Sequence, residues 1–263
     1  MSIIDRIYED YLKKSRLPEY RRTLQTAKEH GFQMVGVLDF ARLVRTGSLE
    51  GKKIYLNRHD IDTSPKVAAK MFAIEQEVYG KEGTATYYFR DTTIDINLIN
   101  EIEDYGYETG YHYEELATYA KMQKLKSGEM IEASISKASE MFLEDLNRFR
   151  EKTSSPSITI ASHGDFINTR YNIQNYEMLK IPEIRNKAGI EVEAYDADVM
   201  QYVMERYADQ KLLAGYSNQV VSAFKREVPV VMTLTHPRNW EVDICANTME
   251  NLRRMNQDIS FRL

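Results

Sequence analysis

The sequence predicts an α/β fold assembled from parallel β/α units, and three observations carry that expectation. Short β-rich runs, Lys53 to Asn57, Thr84 to Phe89, Ser157 to Ser162 and Pro229 to Thr235, alternate with amphipathic helical segments. No internal repeat, low-complexity tract or proline-rich linker interrupts the 263 residues, so one domain over 1–263 is expected, a length that a single α/β unit can reach. Polar clusters fall at the ends of the β-rich runs, where parallel β/α folds gather their sites.

Residues 1–50 read as a helical N-terminal extension, clearest from Glu19 to His30. His30 precedes Gly31 and ends that segment, where a cation favours the helix dipole, which gives it a structural role. Residues 53–80 form a strand-loop-helix unit. Asp62-Thr63-Ser64-Pro65 places capping residues before a proline suited to a first helical turn, and Gly80 follows the periodic run VAAKMFAIEQEVY. From Thr118 to Lys152 the pattern is mainly helical, with Ser127-Gly128 a breaking point. Residues 165–215 show the weakest periodicity.

Apolar residues make up 43% of the chain and charged residues 29%, the balance of a protein with a sizeable core. The 35 basic and 40 acidic residues are interspersed, without the basic block that a nucleic-acid backbone requires. Cys245 is the only cysteine, which excludes an internal disulfide and a multi-cysteine zinc site, so any metal must be held by histidine and carboxylate. The opening MSIIDRIYEDYLKKSR is charged from residue 5 and has no apolar signal core, and no run approaches about 18 apolar residues, so the expectation is a cytoplasmic protein without a membrane span. Nothing in the sequence speaks to oligomeric state.

Four of the five histidines lie in the polar clusters. In Arg58-His59-Asp60-Ile61-Asp62 the two carboxylates occupy alternate strand positions and point the same way, so one can ligate a divalent ion while the other accepts a proton from water. The plainer role for Asp62 is to cap the following helix. In Gly110-Tyr111-His112-Tyr113-Glu114-Glu115, His112 stands as a first-turn ligand, with Glu115 three residues on. Ser162-His163-Gly164-Asp165 has turn chemistry as well as a ligand-type imidazole, and His236-Pro237 closes the last β-rich run, followed by Trp240.

These clusters, in this order, resemble the polysaccharide deacetylase family, the NodB homology group of carbohydrate esterase family four. Arg58 to Asp62, then Pro65, Ala68, Ala69, Glu75 and Gly83 to Arg90 (GTATYYFR), are similar to the family's first block in the branch written R-H-D-V-D. Glu108-Thr109-Gly110-Tyr111-His112 and Leu234-Thr235-His236 resemble its second and closing motifs, so the likeness runs from about residue 53 to 240. The resemblance implies a distorted (β/α)7 barrel and hydrolysis of an N-acetyl group on an amino sugar, in a saccharide or sugar precursor for surface polysaccharides. It makes Asp60 the general base, His236 the general acid, and Asp62 and His112 ligands of a divalent metal, Zn2+ first, with Co2+, Ni2+ or Mn2+ also suited.

The chain departs from the family at three points. Ile61 separates aspartates that are usually adjacent, which leaves the roles of Asp60 and Asp62 exchangeable. Leu116 stands where a second histidine is expected, so His163 becomes the first candidate for the third ligand, with Glu114 or Glu115 behind it. The arginine-bearing segment that orients the base is missing, and Arg90 and Arg238 are the available cations for base or substrate, with Trp240 a candidate wall of the acetyl pocket. Two rivals stand beside the deacetylase expectation: a hydrolase of a non-sugar C–N bond on the same scaffold, and a non-catalytic barrel that binds a saccharide or partner.

Overall fold

The computed structural model describes residues 3–209 and 215–262. Eight strands form one parallel sheet: β1 (Gln33–Val35), β2 (Ile54–Ile61), β3 (Thr86–Phe89), β4 (Glu108–Tyr113), β5 (Thr159–Ser162), β6 (Val192–Glu193), β7 (Glu205–Ala208) and β8 (Val230–Thr235). Seven of them run in the order β6-β5-β4-β3-β2-β8-β7 and curl into a half-barrel wall, a mixed α/β architecture of the (β/α) barrel kind. Among the described residues no ladder joins β6 to β7. β1 is the eighth strand and pairs with Ile54 to Leu56 of β2, while β3 takes Arg58 to Ile61. Residues 1–50, expected to be helical, thus also supply a strand.

Strand alternation divides the core in two. Ile54 and Leu56 of β2, Tyr88 of β3, Ala161 of β5 and Val230 and Met232 of β8 pack together on the inner face. Tyr55, Ile61, Tyr87, Tyr111, Tyr113, Ile160 and Val231 point the other way, under the surrounding helices. The helix Val37–Arg45 closes the amino-terminal end of the barrel: it adds Val37, Phe40 and Ala41 to the inner cluster, and its first amides donate to the side chains of Thr86 and Glu108, which begin β3 and β4. The inner face therefore opens toward the carboxyl ends of the strands.

The helix that follows β2 spans Pro65–Tyr79 with proline at its start, as its punctuation implies. Its N-terminus differs in detail. Ser64 takes a left-handed conformation (φ 60°) and makes no side-chain cap bond, because the turn serves to bring the chain off the strand end rather than to cap the helix. The stretch 118–152 breaks where its Ser-Gly pair lies: Ser127 caps the short helix Gly128–Glu132 by accepting from the Met130 amide, and the long helix Ile135–Thr153 follows. The weakly periodic stretch 165–209 consists of short helices and the two- and four-residue strands β6 and β7. A final helix, Ile244–Arg262, lies near the open end of the barrel and brings Arg254 to 3.9 Å from Asp62. Among the described residues no helix is long and apolar enough to cross a membrane.

Candidate metal centre

The inner positions at the carboxyl ends of four strands converge at the barrel mouth. Asp60 and Asp62 come from β2 and the turn after it, His112 from β4, His163 from the residue following β5, and His236 from the residue following β8. Register sets the levels: His112 is aligned with Ala161, and His59 with Thr235, so His163 and His236 emerge beside the ends of their neighbours. Gly110 allows the close approach of β4 to β3 and β5. A Cβ there would meet the Thr159 carbonyl oxygen and stand 2.7 Å from the Tyr88 ring.

One atom each from Asp62, His112 and His163 lies within 4.8 Å of the other two. Asp62 Oδ1 is 3.3 Å from His112 Nε2 and 3.4 Å from His163 Nε2, yet this buried oxygen has no hydrogen bond of acceptable geometry. A buried carboxylate oxygen facing two imidazole nitrogens without a bond is costly unless a cation joins them. His112 Nδ1 lies 2.9 Å from the Ala161 carbonyl oxygen, which requires Nδ1 to donate and makes Nε2 the nitrogen that faces Asp62. His163 Nδ1 stands 2.8 Å from Glu114 Oε2, the carboxylate-histidine arrangement that fixes and strengthens an imidazole ligand, although the pair is not aligned for an ideal bond. Asp62, His112 and His163 can thus hold a metal ion, and three protein donors leave coordination positions for other ligands.

Glu115 is turned away from the triad. It accepts from the Tyr111 hydroxyl, and burial pushes its carboxyl up to about 8. Glu114 lies in the opposite electrostatic condition: burial works against its charge, but His163 and Arg90 outweigh it and hold the carboxyl well below the ordinary range. Asp62 is likewise held ionised against burial, chiefly by His163.

Asp60 Oδ2 also lies 3.5 Å from His112 Nε2, but unlike Asp62 Oδ1 both Asp60 oxygens are engaged by Arg58. Arg58 Nε and Nη2 donate to the two oxygens of Asp60 at 2.8 Å each, and the guanidinium lies 4.6 Å from the Tyr195 ring centroid. Despite complete burial, this pair lowers the Asp60 carboxyl below its usual value. Arg58 stands two residues before Asp60 on the same strand face, a spacing that could have marked it. Arg90 and Arg238, the cations singled out by sequence, are engaged elsewhere. Arg90 is 2% exposed and donates to Glu114 (2.6 Å) and Glu250 (3.2 Å), whereas Arg238 pairs with Asp10 at 2.6 Å.

His236 is oriented by Asp209, which sequence reading did not single out. Asp209 Oδ1 lies 2.6 Å from His236 Nδ1, and Oδ2 accepts from the His236 amide and from Trp240 Nε1, each at 2.8 Å. Burial opposes the imidazolium, but the Asp209 charge prevails and raises the histidine to about 9. Trp240 is 1% exposed and packs edge-on to Tyr20 and Tyr216, so its visible work is to support Asp209. Set against known protein families, curated proteins and solved structures, the chain has no significant match.

Proposed function

We propose that this chain is a metal-dependent hydrolase of the polysaccharide deacetylase type, which removes an N-acetyl group from an amino sugar. The observation that carries the reading is the division of labour at the mouth. One aspartate faces two histidines with an unsatisfied oxygen, while a second aspartate and a third histidine are each held by a counter-charge of their own. His163 fills the ligand position that Leu116 leaves empty in the family pattern. Zn2+ is the first choice for two imidazoles and a carboxylate, and Co2+, Ni2+ or Mn2+ also suit them.

A divalent ion held there would polarise the acetyl carbonyl and lower the pKa of a water. Asp60 is ionised at neutral pH because Arg58 stabilises its charge, and it accepts the proton of the attacking water. Arg58 also fixes the direction of the carboxylate, since both oxygens are gripped by one planar guanidinium. His236 is kept protonated by Asp209 and gives its proton to the leaving amine. Asp62 remains a ligand rather than a base because it has no comparable arginine partner and lies against both imidazoles.

The test is acetate release from a panel of N-acetylated amino sugars by the zinc-loaded protein. Turnover is expected with at least one member of the panel, and Asp60→Asn should abolish it while leaving metal content unchanged. Metal loss in Asp60→Asn, or retained turnover, would refute the assignment of the base.

A further inference from the structure

His163, alone of the triad, also lines a cavity of about 590 Å3 bordered on its other side by the final helix. Arg170 borders it from the helix Phe166–Tyr171, and Arg253, Arg254 and Gln257 border it from Ile244–Arg262. In the cavity wall three guanidiniums, those of Arg170, Arg253 and Arg254, stand beside two carboxylates, Asp165 and Asp258, and Arg254 also lies 3.9 Å from Asp62. Glu250 accepts from Arg90 at 3.2 Å, Arg253 at 2.7 Å and Arg254 at 2.5 Å, so three cations share one acid. Glu114 is a second acid near Arg90 and Arg253, but it also faces His163. Asp165 is taken by Lys121 at 2.6 Å, and Asp258 is the remaining acid in the wall. The Arg170 guanidinium lies beside the rings of Tyr171 and Phe261, 5.9 Å from each centroid.

We propose that this cavity binds a phosphoryl group, so that the acetylated sugar presented to the triad is a phosphate or diphosphate ester. The proposal rests on the reading of the triad as the reacting centre, because the shared His163 is what places the ester next to it. Guanidiniums bind phosphate through paired N–H donors in one plane, and the Arg253 and Arg254 side chains that border the cavity are 27% and 39% exposed. Three arginines on two helices offer more donors than the two oxygens of a carboxylate can use, whereas a phosphate or diphosphate presents three or more. The volume lies within the roughly 300–1,000 Å3 of ordinary small-molecule sites. Phe166 adds an apolar wall on which a sugar face can rest.

The experiment is calorimetric titration of the full chain with inorganic pyrophosphate after chelation of metal, so that no ion can hold the phosphates. Saturable binding at one site per chain is expected. Arg170→Gln and Arg254→Gln should each weaken it about tenfold or more, the loss of a hydrogen bond to a charged group. Arg170→Lys should fall between, and Arg226→Gln, whose arginine pairs with Glu205 on another part of the surface, should match the parent. Arg170 is exposed, so its variants should fold, and a melting curve checks that they do. Absence of saturable binding, or equal affinity in parent, Arg170→Gln and Arg254→Gln, would overturn the proposal. So would glucuronate binding as tightly as pyrophosphate. Zinc titration of the same preparation reports on the triad separately: pyrophosphate binding without zinc binding upholds this site and removes the hydrolase reading, and zinc binding without pyrophosphate does the reverse.

Discussion

On one face of β2, His59 meets Glu75; on the other, Asp60 and Asp62 meet His112 and His163. Both assemblies are buried histidine-carboxylate clusters, and they differ in how completely their atoms are engaged. His59 Nδ1 lies 2.6 Å from Thr235 Oγ1 and Nε2 lies 2.7 Å from Glu75 Oε1, so both ring nitrogens have partners. Glu75 also accepts from Tyr20, from Asn57 at 2.7 Å and from Tyr87 at 2.6 Å, and the His59 ring stacks on Tyr87. Nothing there is left to bind. Across the strand, two imidazole nitrogens face a carboxylate oxygen that has no hydrogen bond, and a neighbouring cavity opens beside them. Adjacent residues in one strand thus separate a polar core from a candidate metal centre, and the distinction lies in unsatisfied atoms rather than in residue type.

The largest effect that would sharpen this contrast concerns His236. His236→Ala should lower kcat by about 100- to 10,000-fold, the usual weight of a general acid, with metal content unchanged. Steady-state rates and metal analysis on one preparation decide it. Loss of the metal along with the rate would make His236 a ligand and dissolve the separation of roles.

The enclosed cluster should respond in the opposite sense. Glu75→Ala strands the donors of Tyr20, Asn57, Tyr87 and His59 in a fully buried space, so denaturant unfolding should show a loss of about 3 kcal/mol or more. Zinc affinity of the folded fraction should stay within about twofold of the parent, well under the tenfold that corresponds to about 1.4 kcal/mol. A large change in affinity would show that the two faces are coupled.

A further effect is set by pH. Burial raises Glu115 from 4.5 in the unfolded chain to about 8 in the fold. The folded state therefore holds its proton after the unfolded state has released it, and the associated stability, complete below about 4.5, is lost as pH rises through about 8. The slope from this one group is at most about 1.4 kcal/mol per pH unit. Urea melts across that window should show a shallower decline for Glu115→Gln than for the parent. Parallel curves would mean that Glu115 titrates normally.

Much of this contrast could be read in the sequence, but only at the level of strand ends. The β-rich runs lie on β2, β3, β5 and β8 to within a few residues, because each has a β-branched or aromatic core and a polar end. The shortest strands, β1 and β6, have three and two residues, too few for alternation to register, while β7, as long as β3 and β5, has no buried position and no apolar run. Asp62, His112 and His163 stand out as chemistry-bearing residues at strand ends, and the fold gathers them. The partners that set their roles are less legible. Arg58 is visible from its two-residue spacing to Asp60, whereas Asp209 gives no local signal, since its place beside His236 follows from the ladder that aligns Ala208 with Leu234. Glu114 and Glu115 are adjacent and chemically alike, and only the direction of the chain after β4 sends one to His163 and the other to Tyr111.

Asp62, His112 and His163 are proposed to form a metal centre to which His59 does not belong. Equilibrium dialysis against Zn2+, followed by metal analysis, tests it most directly on the parent, His112→Ala, His163→Ala and His59→Gln. One equivalent per chain is expected in the parent and in folded His59→Gln, and loss of that equivalent in His112→Ala and His163→Ala. Full occupancy in either alanine variant, or no zinc in the parent, would contradict it.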